Sequence, residues 1–158
     1  MHNWVECKVK YDKTMENGVI KKVPELYLVD ALSFTEAEAR IIEEITPFVT
    51  GELSVTAIKI ADYSEIFPAD AESADKWFKC KLYFITLDEK SGKEKKTSTT
   101  ILVQASDLRD AVKRLDEGMK GTMADYEIAS VSDTSILDVF PFKAGPDDKP
   151  EFPGAAEE

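Results

Sequence analysis

The chain has one histidine and two cysteines, too few for the roughly four nitrogen and sulfur ligands of a structural zinc site. Its seven glycines nowhere gather into a loop that could cradle a phosphate. No stretch approaches the roughly 18 apolar residues in a row that mark a membrane-spanning helix. Basic residues are outnumbered, 20 against 31 acids, giving a net charge of −11 and a pI of about 4.6. That balance disfavours broad contact with a phosphate backbone, which relies on Lys and Arg, and leaves room only for a local basic patch. The opening residues, Met1 to Cys7, set no basic segment before an apolar run, so no secretory signal is expected there. The expected setting is the cytoplasm with reduced thiols, away from membrane.

What is present is internal similarity. Trp4-Val5-Glu6-Cys7-Lys8 returns as Trp77-Phe78-Lys79-Cys80-Lys81, 73 residues later. Gly18, Lys21 and Lys22 match Gly92, Lys95 and Lys96 at a spacing of 74, as Ala37, Arg40 and Glu43 match Ala111, Arg114 and Glu117. Glu65-Ile66-Phe67-Pro68 matches Asp138-Val139-Phe140-Pro141, again at 73. The spacing changes only in segments that read as loops, where insertions are tolerated. This pattern indicates a tandem duplication. With only two long units, a pair of halves about a pseudo-twofold axis is expected rather than an open array.

Each repeat reads as strand, turn, strand, helix, strand, short strand. Val5, Cys7, Val9 and Tyr11 alternate with Trp4, Glu6, Lys8 and Lys10, as Phe78, Cys80, Leu82 and Phe84 alternate with Trp77, Lys79, Lys81 and Tyr83. Period-two alternation marks a half-buried strand, with the first set in each repeat facing the core. Asn17-Gly18 and Ser91-Gly92 supply turns, because Asn and Gly tolerate positive φ. Return strands centre on 27–31 and 99–105, with Pro24 at a strand beginning or edge. Ser33 caps one helix, with Glu36 at the capping-box position, and Asp107 caps the other. Phe34, Ala37, Ile41, Ile45 and Phe48 form one apolar stripe; Leu108, Ala111, Leu115 and Met119 form its counterpart. Third strands run over 53–60 and 126–131.

The fold expected is α+β: two ββαββ units forming a continuous antiparallel sheet with both helices on one face. Repeat one spans 1–68, a small acidic linker 69–76, and repeat two 77–142, the repeats packing as a single domain. The stretch 143–158 reads as a disordered acidic tail.

Candidate sites are few. Cys7 and Cys80 occupy equivalent inward positions and read as small buried hydrophobes rather than a redox pair. No metal or cofactor is expected. Trp4 and Trp77 lie opposite the inferred core face, where they could stack on a base or ligand ring; packing at a junction or interface is the favoured reading. Lys13, Lys21 and Lys22 sit on the first hairpin, and Lys90, Lys93, Lys95 and Lys96 on the second. They suggest basic fingers for phosphates, weighed against lysines that solubilise hairpins and block edge pairing. Asp62, Glu65, Asp70, Glu72, Asp133 and Asp138 read as a solvated acidic rim rather than acid–base machinery. Gly118 and Gly121 read as a helix stop, with a nucleic-acid clamp as the weaker alternative.

The segment from Leu28 to Arg40, the segment from Gly118 to Ala129, the opening Trp-Val-Glu-Cys-Lys-Val and the Glu65-Ile66-Phe67-Pro68 stretch resemble a family from gut bacteria and their phages, domain of unknown function 4494. The resemblance spans roughly residues 3 to 142. It implies a small accessory protein carried by phages or mobile elements, and it brings no catalytic residues. The function expected is a non-enzymatic binding or assembly protein, self-associating or bound to another protein. The alternative is a nucleic-acid-associated accessory protein using Trp4, Trp77, Lys21, Lys22, Lys93, Lys95 and Lys96. A small-ligand binder with a cleft between the halves is a third class.

Overall fold

Two long hairpins organise the computed structural model, which describes residues 3–49, 51–122 and 125–141. In the first, β1 (Asn3–Thr14) pairs antiparallel with β2 (Ile20–Ala31), Val5 opposite Val29 and Cys7 opposite Tyr27. In the second, β5 (Lys76–Leu87) pairs with β6 (Glu94–Ala105), Phe78 opposite Val103 and Cys80 opposite Ile101. Both turn on the expected glycines: Gly18 has φ 83° and Gly92 φ 70°, a region closed to most side chains.

Helix α1 (Phe34–Ile45) follows the first hairpin and α2 (Leu108–Gly118) the second. The expected caps form. Ser33 Oγ accepts from the Glu36 amide at 3.1 Å, and Asp107 Oδ1 accepts from the Asp110 amide at 2.8 Å. Ala37, Ile41 and Ile45 are buried on α1, and Ala111 and Leu115 on α2. Each large aliphatic side chain so buried contributes about 1.5–3 kcal/mol over leaving it in water. The expected stripes reach too far at their ends. Phe34 and Leu108 open their helices, before a full turn faces the sheet, and both are half exposed. Phe48 is 80% exposed because Thr46–Phe48 forms a 3-10 turn, which abandons the 3.6-residue period.

The chain is α+β, but the single continuous antiparallel sheet with both helices on one face is not found. The described residues form two four-stranded sheets, each with its own helix, and they separate into two compact units. The first unit holds sheet β3-β1-β2-β8, with β3 (Leu53–Ala61) and β8 (Ile136–Phe140) at its edges. The second holds β4-β6-β5-β7, with β4 (Glu65–Phe67) and β7 (Asp125–Asp133) at its edges. In each, three strands are antiparallel and the fourth is parallel.

The parallel strand is exchanged. β8, late in the chain, runs beside β2, with Leu28 opposite Val139 and Val29 opposite Phe140. β4, which directly follows β3, runs beside β6, with Ile66 opposite Leu102. The expected boundary at 69–76 therefore falls inside the second unit. Local chemistry explains the departure. The β3–β4 connection, Asp62-Tyr63-Ser64, has no Gly or Asn to fold back as a tight hairpin. Instead the Ser64 amide donates to Thr100 O at 2.8 Å, and its hydroxyl lies 2.7 Å from Thr99 Oγ1, steering the chain onto β6. Thr134, the residue after β7, donates from its amide (3.1 Å) and hydroxyl (2.7 Å) to Trp77 O on β5 before β8 begins.

Pro24 lies within β2, opposite Lys10, at a point where β8 no longer flanks the strand. A residue without an N–H is tolerated there, as at an edge. The expected tail from 143 onward and His2 lie outside the described residues.

Candidate functional site

Alternation along β1 and β2 gives the first unit two faces. Val5, Cys7, Val9, Tyr27 and Val29 pack with α1 into one core, joined by half-buried Phe140. Tyr27 and Phe140 stack with ring centroids 5.7 Å apart. The opposite, outer face carries Glu6, Lys8 and their cross-strand partners. Lys8 lies between Leu26 on β2 and Ala57 on β3, and Glu6 lies beside Lys59.

On this outer face is a cleft of about 620 Å³, lined wholly by the first unit. Its floor is apolar: Pro24 and Leu26 from β2, Ala57 from β3, and Leu137 from β8, which is half exposed. Its polar groups are Glu6, Lys8 and Lys59, with Glu25 and Ser135 also lining it. Lys59 Nζ crosses to Glu6 Oε2 at 3.3 Å, so this pair neutralises itself. Among the described residues Lys8 has no ion-pair partner. A volume of this order, an apolar lining and a few polar groups are the features of small-ligand sites.

The corresponding face of the second unit differs. Lys81 occupies the place of Lys8, but its neighbours are Thr100 and Ser130 instead of Leu26 and Ala57. Lys79 faces Ser132 where Glu6 faces Lys59. Hydroxyls thus stand where the first unit has alkyl groups. Lys81 lies 5.6 Å from the Tyr83 ring centroid.

The residues singled out from sequence do not converge. Trp4 is 5% exposed and Trp77 3%, so neither indole is open for stacking on a ligand. Cys7 and Cys80 are fully buried, and burial pushes each thiol up to about 11, with Glu38 adding to the effect at Cys7. Such thiols are protonated near neutrality and are poor nucleophiles. Lys21 and Lys22 are exposed but, as successive strand residues, point to opposite faces; Lys95 and Lys96 do the same. Lys96 is also committed to Glu127 at 2.8 Å. Lys93 sits in the turn, where its carbonyl accepts from the Asp88 amide. The lysines are therefore spread over both faces of each hairpin.

Among the acids, Asp138 lies opposite Tyr27 on the α1 side of the sheet. Its carboxyl is raised by burial and by Glu44, against the lowering effect of the Val139 amide it accepts from at 2.8 Å. Burial also raises Glu65. Asp110 is held down to about 2, first by the Ser106 amide and then by Arg114, whose Nε lies 2.8 Å away. It steadies the start of α2. Tyr27 donates to Glu25 at 2.8 Å, and burial followed by that carboxylate raises its phenol. Gly118 has a packing role: a Cβ there would lie 2.6 Å from the Phe67 ring. Gly121, at φ 87°, completes the stop, with the Thr122 amide bonded to Met119 O.

The cleft escaped the sequence reading, although a signal for it was present. Leu26 faces Lys8 where Thr100 faces Lys81, a difference visible when the two similar stretches of sequence are aligned.

One family model matches residues 3–142, that of a domain of unknown function, DUF4494. The chain belongs to this family. Every cleft residue of this DUF4494 domain, from Glu6 to Leu137, lies inside the matched span. No curated protein and no solved structure matches the chain. No helix among the described residues is long and apolar enough to cross a membrane.

Proposed function

We propose that this chain is a non-enzymatic binding protein, built by tandem duplication of a ββαββ unit, whose first unit takes a ligand on its outer sheet face. One observation carries the reading. At equivalent positions the first unit presents Leu26 and Ala57 beside Lys8, and the second presents Thr100 and Ser130 beside Lys81. An apolar floor kept open to solvent costs solubility and is a mark of a binding surface. Duplication frees one copy to specialise, and the cleft lies on the copy whose lysine is flanked by apolar residues. The geometry favours binding over self-assembly. The division of the lysines between faces gives the nucleic-acid alternative no focus.

The test is a thermal-shift screen of metabolites on the wild type and on Leu26→Thr/Ala57→Ser, which writes the second unit's residues into the cleft. A bound ligand raises the melting temperature by mass action. The reading expects compounds that stabilise the wild type and leave the double variant unmoved. A screen without a stabilising compound, or equal shifts in both proteins, counts against it.

A further inference from the structure

We propose that the cleft of the first unit takes a small amphipathic monoanion, its aliphatic part on Leu26, Pro24 and Leu137 and its acid group on Lys8. This rests on the binding reading above and names the ligand's chemistry.

The charge pattern selects the sign. Four ionic side chains line the cleft: Glu6 and Lys8 from β1, Glu25 from β2 and Lys59 from β3; Glu25 accepts from the hydroxyl of Tyr27, a residue of the α1 core, at 2.8 Å. Glu6 and Lys59 pair with each other at 3.3 Å, leaving Lys8 as the cation without a partner among the described residues. A ligand cation would meet Lys8 at the centre of the site and gain nothing from Glu6, which is already neutralised. A dianion would need a second uncommitted cation, and Lys59 is engaged. One negative charge is the match.

The apolar floor selects the rest. Leu26 flanks Lys8 on β2, Ala57 flanks it on β3, and Leu137 projects from the exchanged strand. A polar anion such as inorganic phosphate would leave these alkyl groups in water. An alkyl chain covers them and removes that apolar surface from water. The second unit has the lysine without the floor, since Lys81 is flanked by Thr100 and Ser130. It therefore serves as an internal control: cation alone, without alkyl contacts.

The experiment is equilibrium dialysis of the full chain against radiolabelled octanoate, with octylammonium and 1-octanol as comparison probes. Octanoate is expected to bind saturably at one site. Lys8→Gln should weaken it about tenfold, the scale of losing one charge-assisted contact. Leu26→Thr should weaken it at least about fivefold through lost apolar contact. Lys81→Gln should leave it unchanged. None of the three replaced residues is among the described core residues packed under either helix. Octanoate binding of equal strength in Lys8→Gln and the wild type overturns the proposal. So does the absence of octanoate binding. Saturable binding of octylammonium in place of octanoate overturns the anion assignment and leaves the cleft as a binding site. Failure of the broad metabolite screen removes the binding reading itself.

Discussion

Phe140→Ala tests the exchange of closing strands, because its effect should appear far away in sequence. Phe140 lies late in the chain, on β8, yet it packs into the core formed by Val5, Cys7, Val9 and Tyr27. Truncating a fully buried Phe costs about 3–5 kcal/mol. Phe140 is half-buried, so the expected cost is about 2–3 kcal/mol, of which about 0.5–1.5 belongs to the stacked pair with Tyr27. The assay is native-state amide hydrogen exchange resolved by residue. Slow amides of β1, β2 and α1 should exchange on the order of 30- to 160-fold faster, since each 1.36 kcal/mol is a factor of ten. Those of β5, β6 and α2 should change far less. Phe67→Ala should give the mirror result, because Phe67 packs with Cys80, Leu82 and Leu115. Loss of protection confined to β5–β7 in Phe140→Ala would refute the exchange.

Gly118→Ala should destabilise the second unit by about 1–2 kcal/mol, overpacking against Phe67 outweighing the better helix propensity of Ala; a rise in the denaturant midpoint would contradict the close contact. Stability should fall as pH rises from 9 toward 11. The buried thiols, ordinarily 9.0, sit at about 11 when folded, so their contribution is intact below pH 9 and is lost through 11. Tyr11, raised to about 12 by burial and by Glu25, extends that loss to higher pH. Cys7→Ala/Cys80→Ala should flatten the slope in urea melts between pH 9 and 11, and an unchanged slope would count against buried thiols as its source. Light-scattering mass should be the same with and without nuclease, at low and high salt; a nuclease-sensitive, salt-sensitive complex would restore the lysine hairpins as the site.

Much of the local structure was legible because it depends on neighbours along the chain. Asn17-Gly18 and Ser91-Gly92 turn because of backbone sterics, and Ser33 and Asp107 cap because their side chains reach amides three residues on. Alternation placed Cys7 and Cys80 inward. The sheet arrangement was not legible in the same way. β4 and β8 are only three and five residues long, and the hydrogen bonds just before them, from Ser64 and Thr134, form with residues far along the chain. Nothing in Glu65-Ile66-Phe67 distinguishes pairing with β3 from pairing with β6. The Trp positions showed which face they occupy but not that this face is covered at Trp4 and Trp77 while open at Leu26. Burial on the outer face varies along one strand, and a period-two pattern carries no information about that.

The cleft is most directly tested by an amide chemical-shift map of labelled protein titrated with the compound that raises its melting temperature most. The account predicts saturable shifts at Glu6, Lys8, Leu26, Ala57 and Leu137, with Lys79, Lys81, Thr100 and Ser130 unmoved. Shifts centred on the second unit, or on the hairpin lysines of both, would contradict it.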